Sequence, residues 1–263
     1  MRRHFGLFFD YLTQYIKVRL SYRGDFLISI FTSFAATVSS FLFLVILFTK
    51  IPKLQGWSFY EMMFLFAFSM IPYGLFNIIS PNLYDFGNNY IIEGKFDRVL
   101  LRPISALFQV LFETFRVESF QEVATGLFGL WLASHMLHLS WGPLNFFLLI
   151  VWSLCGAVIY VSIFLMLSTV SFWFEDRIGV HPPMWNLIAF GRYPLSIYSG
   201  VIRFFLSWIV PFGFASFYPS VRLLGRTAFR GYAPLVPVVA AACLAITILV
   251  WSRGVRHYSS TGS

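Results

Sequence analysis

Few residues in this chain could carry catalysis, and none of them forms a recognised motif. The sequence has no G-x-x-x-x-G-K-[ST] phosphate-binding loop, no H-E-x-x-H zinc motif and no G-x-S-x-G nucleophile motif. Without a phosphate-binding loop, the chain is not expected to hydrolyse ATP by itself. We therefore predict that it is not an enzyme.

Two clusters of titratable residues allow a chemical interpretation and a simpler one. His135 and His138 are three residues apart and could form a metal pair. No third ligand is near them in sequence, so we interpret them as histidines at the membrane interface. Glu175 and Asp176 could form a carboxylate pair. Beside Arg177 they fit better as the charged end of a membrane span, because a charge at mid-membrane costs about 3 kcal/mol. We expect this chain to bind no metal and no cofactor.

The segment from Ile91 to Pro103 is the strongest candidate for a functional site, because it is polar and lies between two long apolar runs. Gly94 permits a sharp turn, and Pro103 stops any helix that begins before it. A short helix with an aromatic anchor, here Phe96, is suited to docking in a groove of a partner protein. An ordinary solvated connector would have the same composition. The candidate docking residues are Glu93, Gly94, Lys95, Phe96, Asp97, Arg98 and Arg102.

The amino-acid composition indicates that the helices on either side of this segment lie in a membrane. Hydrophobic residues make up 58% of the 263 residues and charged residues only 11%, whereas a soluble domain has about 25% charged residues. The net charge of +8 is explained by basic loops beside anionic lipid headgroups. A nucleic-acid partner is not expected, since no soluble domain is present to bind it.

Several apolar runs approach the roughly 20 residues that a helix needs to cross a bilayer. The predicted spans are Phe26–Thr49, Met62–Ile79, Val123–Leu139, Leu144–Phe174, Pro183–Ser199 and Pro234–Trp251. The predicted fold class is therefore an all-α polytopic membrane protein with six transmembrane helices. Residues 183–219 are interrupted by proline and glycine, which predicts a broken fifth span followed by re-entrant pieces.

The remaining organisation follows from amphipathic and charge patterns. Residues 1–25 are predicted to form a cytoplasmic amphipathic helix at the membrane surface; a short soluble helix packed on the body is the alternative. Residues 26–263 form one membrane domain with a cytoplasmic segment at 85–118. Thirteen Lys and Arg residues lie on the side of the termini and six on the other, which favours cytoplasmic termini. Arg222, Arg226 and Arg230 oppose this orientation.

Three stretches together resemble the membrane permeases of ABC-type exporters of the type-2 class. These stretches are Tyr22–Phe26, Gly94–Pro103, and Gly191–Tyr198 with its continuation through Ile209–Phe214 to Tyr218–Pro219. Within that class, the chain is similar to the bacterial six-span permeases that are often encoded in pairs beside an ATPase. The resemblance covers essentially the whole chain.

The resemblance implies partners and a location. Residues 91–103 would contain the coupling helix that receives the motion of a separate ABC-type ATPase subunit, in which ATP and Mg²⁺ would bind. Residues 194–219 would form re-entrant pieces on the extracytoplasmic side. A second permease, identical or related, and membrane lipids would be the other partners. The expected location is the bacterial inner (plasma) membrane.

The apolar side chains of the first two predicted spans suggest a substrate class. Aromatic and Met side chains suit an amphipathic, lipid-like or drug-like substrate, although the same residues could simply face lipid. The candidates are Phe31, Phe34, Met63, Phe66 and Met70. The alternative function is a stand-alone membrane enzyme or assembly factor, for which His181, Arg192 and Glu175 would be the polar groups.

Overall fold

The computed structural model describes residues 13, 14, 17, 23–174, 188 and 190–259. This part of the chain is helical and contains no β-sheet. Its main helices are α1 (Arg23–Lys50), α2 (Phe59–Ile79), α3 (Lys95–Leu101), α4 (Ala106–Phe112), α5 (Phe120–Met136), α6 (Pro143–Phe174), α7 (Gly200–Ile209), α8 (Gly213–Leu223) and α9 (Val236–His257).

The prediction of an all-α polytopic membrane protein is confirmed. Helices α1, α2, α6 and α9 are long and apolar enough to cross a membrane. Helix α5 matches the predicted third span and, with 17 residues, lies at the short end of the spanning range. Of the fifth span predicted at 183–199, residues 183–187 and 189 lie outside the described residues, and residues 191–199 form turns and a short 3₁₀ helix (Leu195–Ile197) rather than one continuous helix. Most of the predicted helix at 1–25 lies outside the described residues. The total of six spans therefore stays a prediction.

The central helix of the bundle is α2. Ser58 and Glu61 start it with reciprocal hydrogen bonds, in which the Ser58 backbone N–H donates to Glu61 Oε2 over 2.9 Å. Most side chains of α2 are buried, whereas only Leu44 is buried in α1. Helix α1 therefore lies at the edge of the bundle and presents most of its apolar surface outward.

Small residues let the helices approach closely. A Cβ atom on Gly126 of α5 would lie 2.8 Å from the Ala67 carbonyl oxygen of α2. A Cβ on Gly156 of α6 would lie 2.8 Å from both the Ala215 carbonyl oxygen and Pro72 Cβ. These contacts bring backbones together as in other membrane bundles, where small residues replace the missing hydrophobic driving force.

Helices α7 and α8 meet at an angle of 82° across a short break. The residues just before α7 and just after α8 both lie at the end of the bundle where α2 begins. Trp57 Nε1 there donates a hydrogen bond to Ser196 Oγ over 2.9 Å. The break lies deeper, because the Phe212 ring is 5.3 Å from the Tyr160 ring of α6. We interpret the pair as entering and leaving from one side, as predicted for re-entrant pieces.

Candidate functional site

The predicted docking segment forms helix α3, which begins and ends where the sequence indicated. Gly94 precedes the helix with φ 67°, in the left-handed region that glycine adopts without strain. Lys95 Nζ lies 2.7 Å from Glu93 Oε2 across this turn. Arg102 has extended backbone immediately before Pro103, so the helix stops at Leu101. The segment is a structured element with a fixed position.

Phe96 does not have the role that the sequence predicted for it. Its side chain is fully buried inside this chain, so the hypothesis that it docks in a partner's groove is wrong for this conformation. Ring centroids surround it at 4.9 Å (Tyr258), 5.1 Å (Phe172) and 6.1 Å (Phe86 and Trp251). Phe96 therefore joins α3 to the ends of α6 and α9.

The opposite face of α3 is the one available to a partner. Leu101 is 84% exposed and has the most accessible side chain of the large apolar residues in the described part of the chain. Arg98 and Arg102 are exposed beside it, while Val99 is buried with Phe96. The helix thus has a buried face, formed by Phe96 and Val99, and an exposed part formed by Leu100, Leu101 and the two arginines. Sequence alone placed Val99, Leu100 and Leu101 together and could not separate these faces.

Hydrogen bonds hold α3 from two further directions. Tyr258, just after α9, donates its hydroxyl to Asp97 Oδ1 over 3.0 Å. Burial, followed by the Asp97 carboxylate, raises the pKa of Tyr258 to about 12. On the other side, Gln109 Nε2 of α4 donates to the Val99 and Ile104 carbonyl oxygens over 3.1 and 3.2 Å. Helix α3 is therefore connected to α4, α6 and α9.

A charged depression of about 400 Å³ adjoins the outward face of α3. Glu113 lies in it and accepts a hydrogen bond from the Tyr90 hydroxyl at 2.9 Å. Arg102 Nη1 lies 3.5 Å from the other Glu113 oxygen and 3.3 Å from Gln109 Oε1. The lining residues are Asn82, Asn89, Tyr90, Lys95, Arg98, Val99, Arg102, Glu113 and Thr114. With three basic residues and one acidic residue, the depression favours an acidic group of a partner.

Four of the five predicted substrate residues meet in one groove. Phe34, Met63, Phe66 and Met70 line an apolar groove of about 220 Å³ between α1, α2 and α5. Phe31 is not among the lining residues and is 71% exposed on the outer face of α1. The structure thus brings the three predicted residues of α2 together with Phe34 of α1.

One polar network lies inside the bundle and was not anticipated from the sequence. Asn77 Nδ2 donates to Glu122 Oε2 over 2.9 Å, and the Tyr84 hydroxyl donates to Asn77 Oδ1 over 2.5 Å. Arg192 lies half-buried nearby, with its guanidinium carbon 5.7 Å from the Phe66 ring centroid and 5.8 Å from that of Tyr73. Arg192 is thus a half-buried cation held beside two aromatic rings of α2.

At the other end of the bundle, Arg226 explains part of the unexpected basic charge. Its Nε lies 2.8 Å from Glu61 Oε1, and its Nη2 donates to the Gly56 carbonyl oxygen over 2.5 Å. Its guanidinium carbon is 3.9 Å from the Trp57 ring centroid. Arg226 therefore connects the loop after α8 to the start of α2 and is an internal partner of Glu61. Arg222 and Arg230 have no such explanation.

Catalytic and metal-binding interpretations gain no support from the described residues. Among them, no group of three or more His, Cys, Asp or Glu side chains could hold a metal ion. His181 and Glu175, which the stand-alone enzyme hypothesis would need, lie outside the described part of the chain.

The fold and this arrangement of helices define a multi-pass helical membrane protein with a structured segment between its second and third apolar helices. Residues 34–262 match the model of a family described as ABC-2 family transporter protein. The chain belongs to this family and is a membrane permease component of an ABC transporter. A comparison with curated proteins finds no match.

Proposed function

We propose that this chain is the permease subunit of an ATP-driven exporter in the bacterial inner membrane, powered by a separate ATPase subunit that docks on α3. The observation that carries this proposal is the division of α3 into two faces. Phe96 is enclosed by rings of α6 and α9, and Leu101 is 84% exposed. The buried face can transmit force to the spans, while the outward face can receive it.

The transmission would be mechanical. ATP and Mg²⁺ would bind in the ATPase subunits, and closure of their dimer would push on Leu101, Arg98 and Arg102. Because aromatic side chains and the Tyr258 hydrogen bond join α3 to α6 and α9, these helices would move with it as a rigid body. The charged depression beside α3 would take an acidic side chain of the ATPase.

A second permease would complete the transporter. Helix α1 buries only Leu44 within this chain, so most of its surface is free to contact lipid or another permease subunit. A cavity between the two subunits would then carry the substrate. The partner would be either a second copy of this chain or a related chain, and both termini would lie in the cytoplasm.

The substrate class that fits best is amphipathic or lipid-like. The groove of Phe34, Met63, Phe66 and Met70 offers an apolar surface that can adapt its shape. Arg192 lies on the Phe66 ring, close to the same face of α2. An apolar groove beside a cation favours an amphiphile whose polar end is negatively charged.

The test is ATP hydrolysis by the permease reconstituted in vesicles with its ATPase. Arg98→Glu reverses the charge of an exposed side chain on the docking face, and Arg253→Glu is the matched control on an exposed residue of α9. We expect Arg98→Glu to reduce permease-dependent ATP hydrolysis at least tenfold, with little change for Arg253→Glu. Equal hydrolysis by both variants, with the complex intact, would contradict docking on α3.

A further inference from the structure

The uncompensated positive charge of the described residues is concentrated at the end of the bundle where α2 begins. At the α3 end, acidic side chains offset basic ones, as in the pairs of Lys95 with Glu93 and of Arg102 with Glu113. Among the residues that the structure describes, the end where α2 begins has six basic side chains and one acidic side chain, Glu61. The basic side chains are Lys50, Lys53, Arg203, Arg222, Arg226 and Arg230.

Contacts between the loops at this end join the basic residues into one surface. Arg226, after α8, donates a hydrogen bond to the Gly56 carbonyl oxygen in the connection between α1 and α2. The guanidinium carbon of Arg203 in α7 lies 5.4 Å from the Phe229 ring centroid, and Arg230 follows Phe229 directly in the chain. The five cations other than Arg226 are named the basic rim: Lys50, Lys53, Arg203, Arg222 and Arg230.

The charge of the basic rim is not neutralised within the part of the chain that the structure describes. Glu61 is the acidic residue at this end, and its Oε1 lies 2.8 Å from Nε of Arg226, which is not part of the rim. No rim side chain forms an ion pair with a described residue. Because cations on one surface repel each other, an anionic partner would stabilise this end of the bundle.

The basic rim lies where the membrane-crossing helices end. Lys50 is the last residue of α1, and the apolar helical stretch that contains α9 begins at Arg230. Arg222 lies in the last turn of α8. Two exposed aromatic side chains, Trp208 and Tyr232, adjoin the rim with their ring centroids 6.4 Å apart. Tryptophan and tyrosine prefer the boundary between membrane and water, so the rim lies at the level of the lipid headgroups.

We propose that the basic rim binds anionic phospholipids of the leaflet that it faces, with its arginine and lysine side chains on the headgroup phosphates. This assigns a role to Arg222 and Arg230, which the internal contacts leave unexplained. The cations are distributed along the rim, so several lipids bind and no single phosphate has to meet all five. A zwitterionic headgroup is a weaker partner, because its own ammonium group cancels the charge of its phosphate. The proposal does not depend on the proposed function.

The experiment uses the full chain in nanodiscs of phosphatidylcholine and phosphatidylglycerol in equal amounts. Native mass spectrometry after transfer to detergent gives the ratio of the two lipids that stay bound. Arg222→Gln/Arg230→Gln removes two charges of the rim. Arg253→Gln/Arg256→Gln is the matched control, since it removes two exposed arginines of α9 at the opposite end of the bundle. Thermal unfolding checks that both variants are folded.

We expect the unaltered chain to retain phosphatidylglycerol in preference to phosphatidylcholine. The preference should fall about tenfold in Arg222→Gln/Arg230→Gln and less than about twofold in the control, because each basic residue near an anionic surface strengthens binding roughly fivefold. High salt should weaken the preference of the unaltered chain, since exposed charges are screened.

An absent preference in the unaltered chain, or the same loss in the rim variant and the control, would overturn the proposal. Displacement of phosphatidylglycerol by soluble polyglutamate would overturn it in favour of a soluble anionic partner. If Arg222→Gln/Arg230→Gln does not fold, Lys50→Gln/Lys53→Gln at two exposed rim positions takes its place, and an undiminished preference there would overturn the proposal as well.

Discussion

Substitutions on the buried face of α3 should affect folding, whereas substitutions on its outward face should affect energy transfer from the ATPase. Phe96→Ala removes a fully buried ring that lies 4.9–6.1 Å from four other aromatic rings. Comparable substitutions of buried phenylalanine cost about 3–5 kcal/mol, because the lost contacts and the remaining cavity both weaken the fold. We expect Phe96→Ala to lower the thermal stability of the purified chain and to expose residues 85–118 to protease.

Leu101→Ala should leave the stability of the chain nearly unchanged and should weaken its binding to the ATPase. Because Leu101 is 84% exposed, its removal should change stability by less than about 0.5 kcal/mol. If the ATPase buries this side chain, the loss of apolar contact is about 2 kcal/mol, which weakens association about 20- to 30-fold. The assays are thermal unfolding of the chain and titration of the ATPase subunit against the permease in nanodiscs.

The matched control is Leu249→Ala, which removes a leucine that is 61% exposed on α9, away from α3. It should change neither stability nor affinity for the ATPase. An unchanged melting temperature and protease pattern for Phe96→Ala would contradict the structural role given to this ring. Equally tight binding of the ATPase by Leu101→Ala and by the unaltered chain would contradict the docking role of Leu101.

Three further substitutions test other contacts. Arg226→Lys should destabilise the chain by about 1–2 kcal/mol in thermal unfolding, because lysine cannot keep the two-pronged contact with Glu61 and the stacking on a ring; unchanged stability would show that the contact is dispensable. Gly126→Ala should cost about 1–3 kcal/mol through its clash with α2, whereas Gly142→Ala, which has open space, should be neutral; equal effects would exclude close packing as the cause. Tyr258 has a pKa raised to about 12, so its contribution to stability is full below pH 10 and is lost between pH 10 and 12. Tyr258→Phe should therefore reduce the loss of stability with rising pH in that range, measured by thermal unfolding. The same pH dependence in both proteins would contradict a stabilising role for the Tyr258 hydroxyl.

The apolar runs were predictable because they depend on composition. The uncharged stretch after Asp25 and the long run before Phe174 correspond to α1 and α6 within a few residues. Gly94 and Pro103 also allowed the bounds of α3 to be placed, because backbone restrictions are local properties. Composition and backbone restrictions are set by neighbouring residues and do not depend on contacts with distant parts of the chain.

The faces of α3 could not be predicted, because they depend on contacts between residues far apart in sequence. Phe96 is buried by Phe172, Trp251 and Tyr258, which no local pattern connects to it. An aromatic residue in a short polar segment is equally compatible with an exposed anchor and with a buried one. The same applies to Arg226, whose partner Glu61 is 165 residues away.

The central claim is that the outward face of α3 contacts an ATPase in the cytoplasm. The direct measurement is photo-crosslinking from a benzoylphenylalanine at position 101, in cells that express the permease with its ATPase. The account predicts a crosslinked species containing both subunits from position 101, and none from position 249 on α9. Crosslinks from position 101 only to lipid or to extracytoplasmic proteins, with the ATPase present, would contradict it.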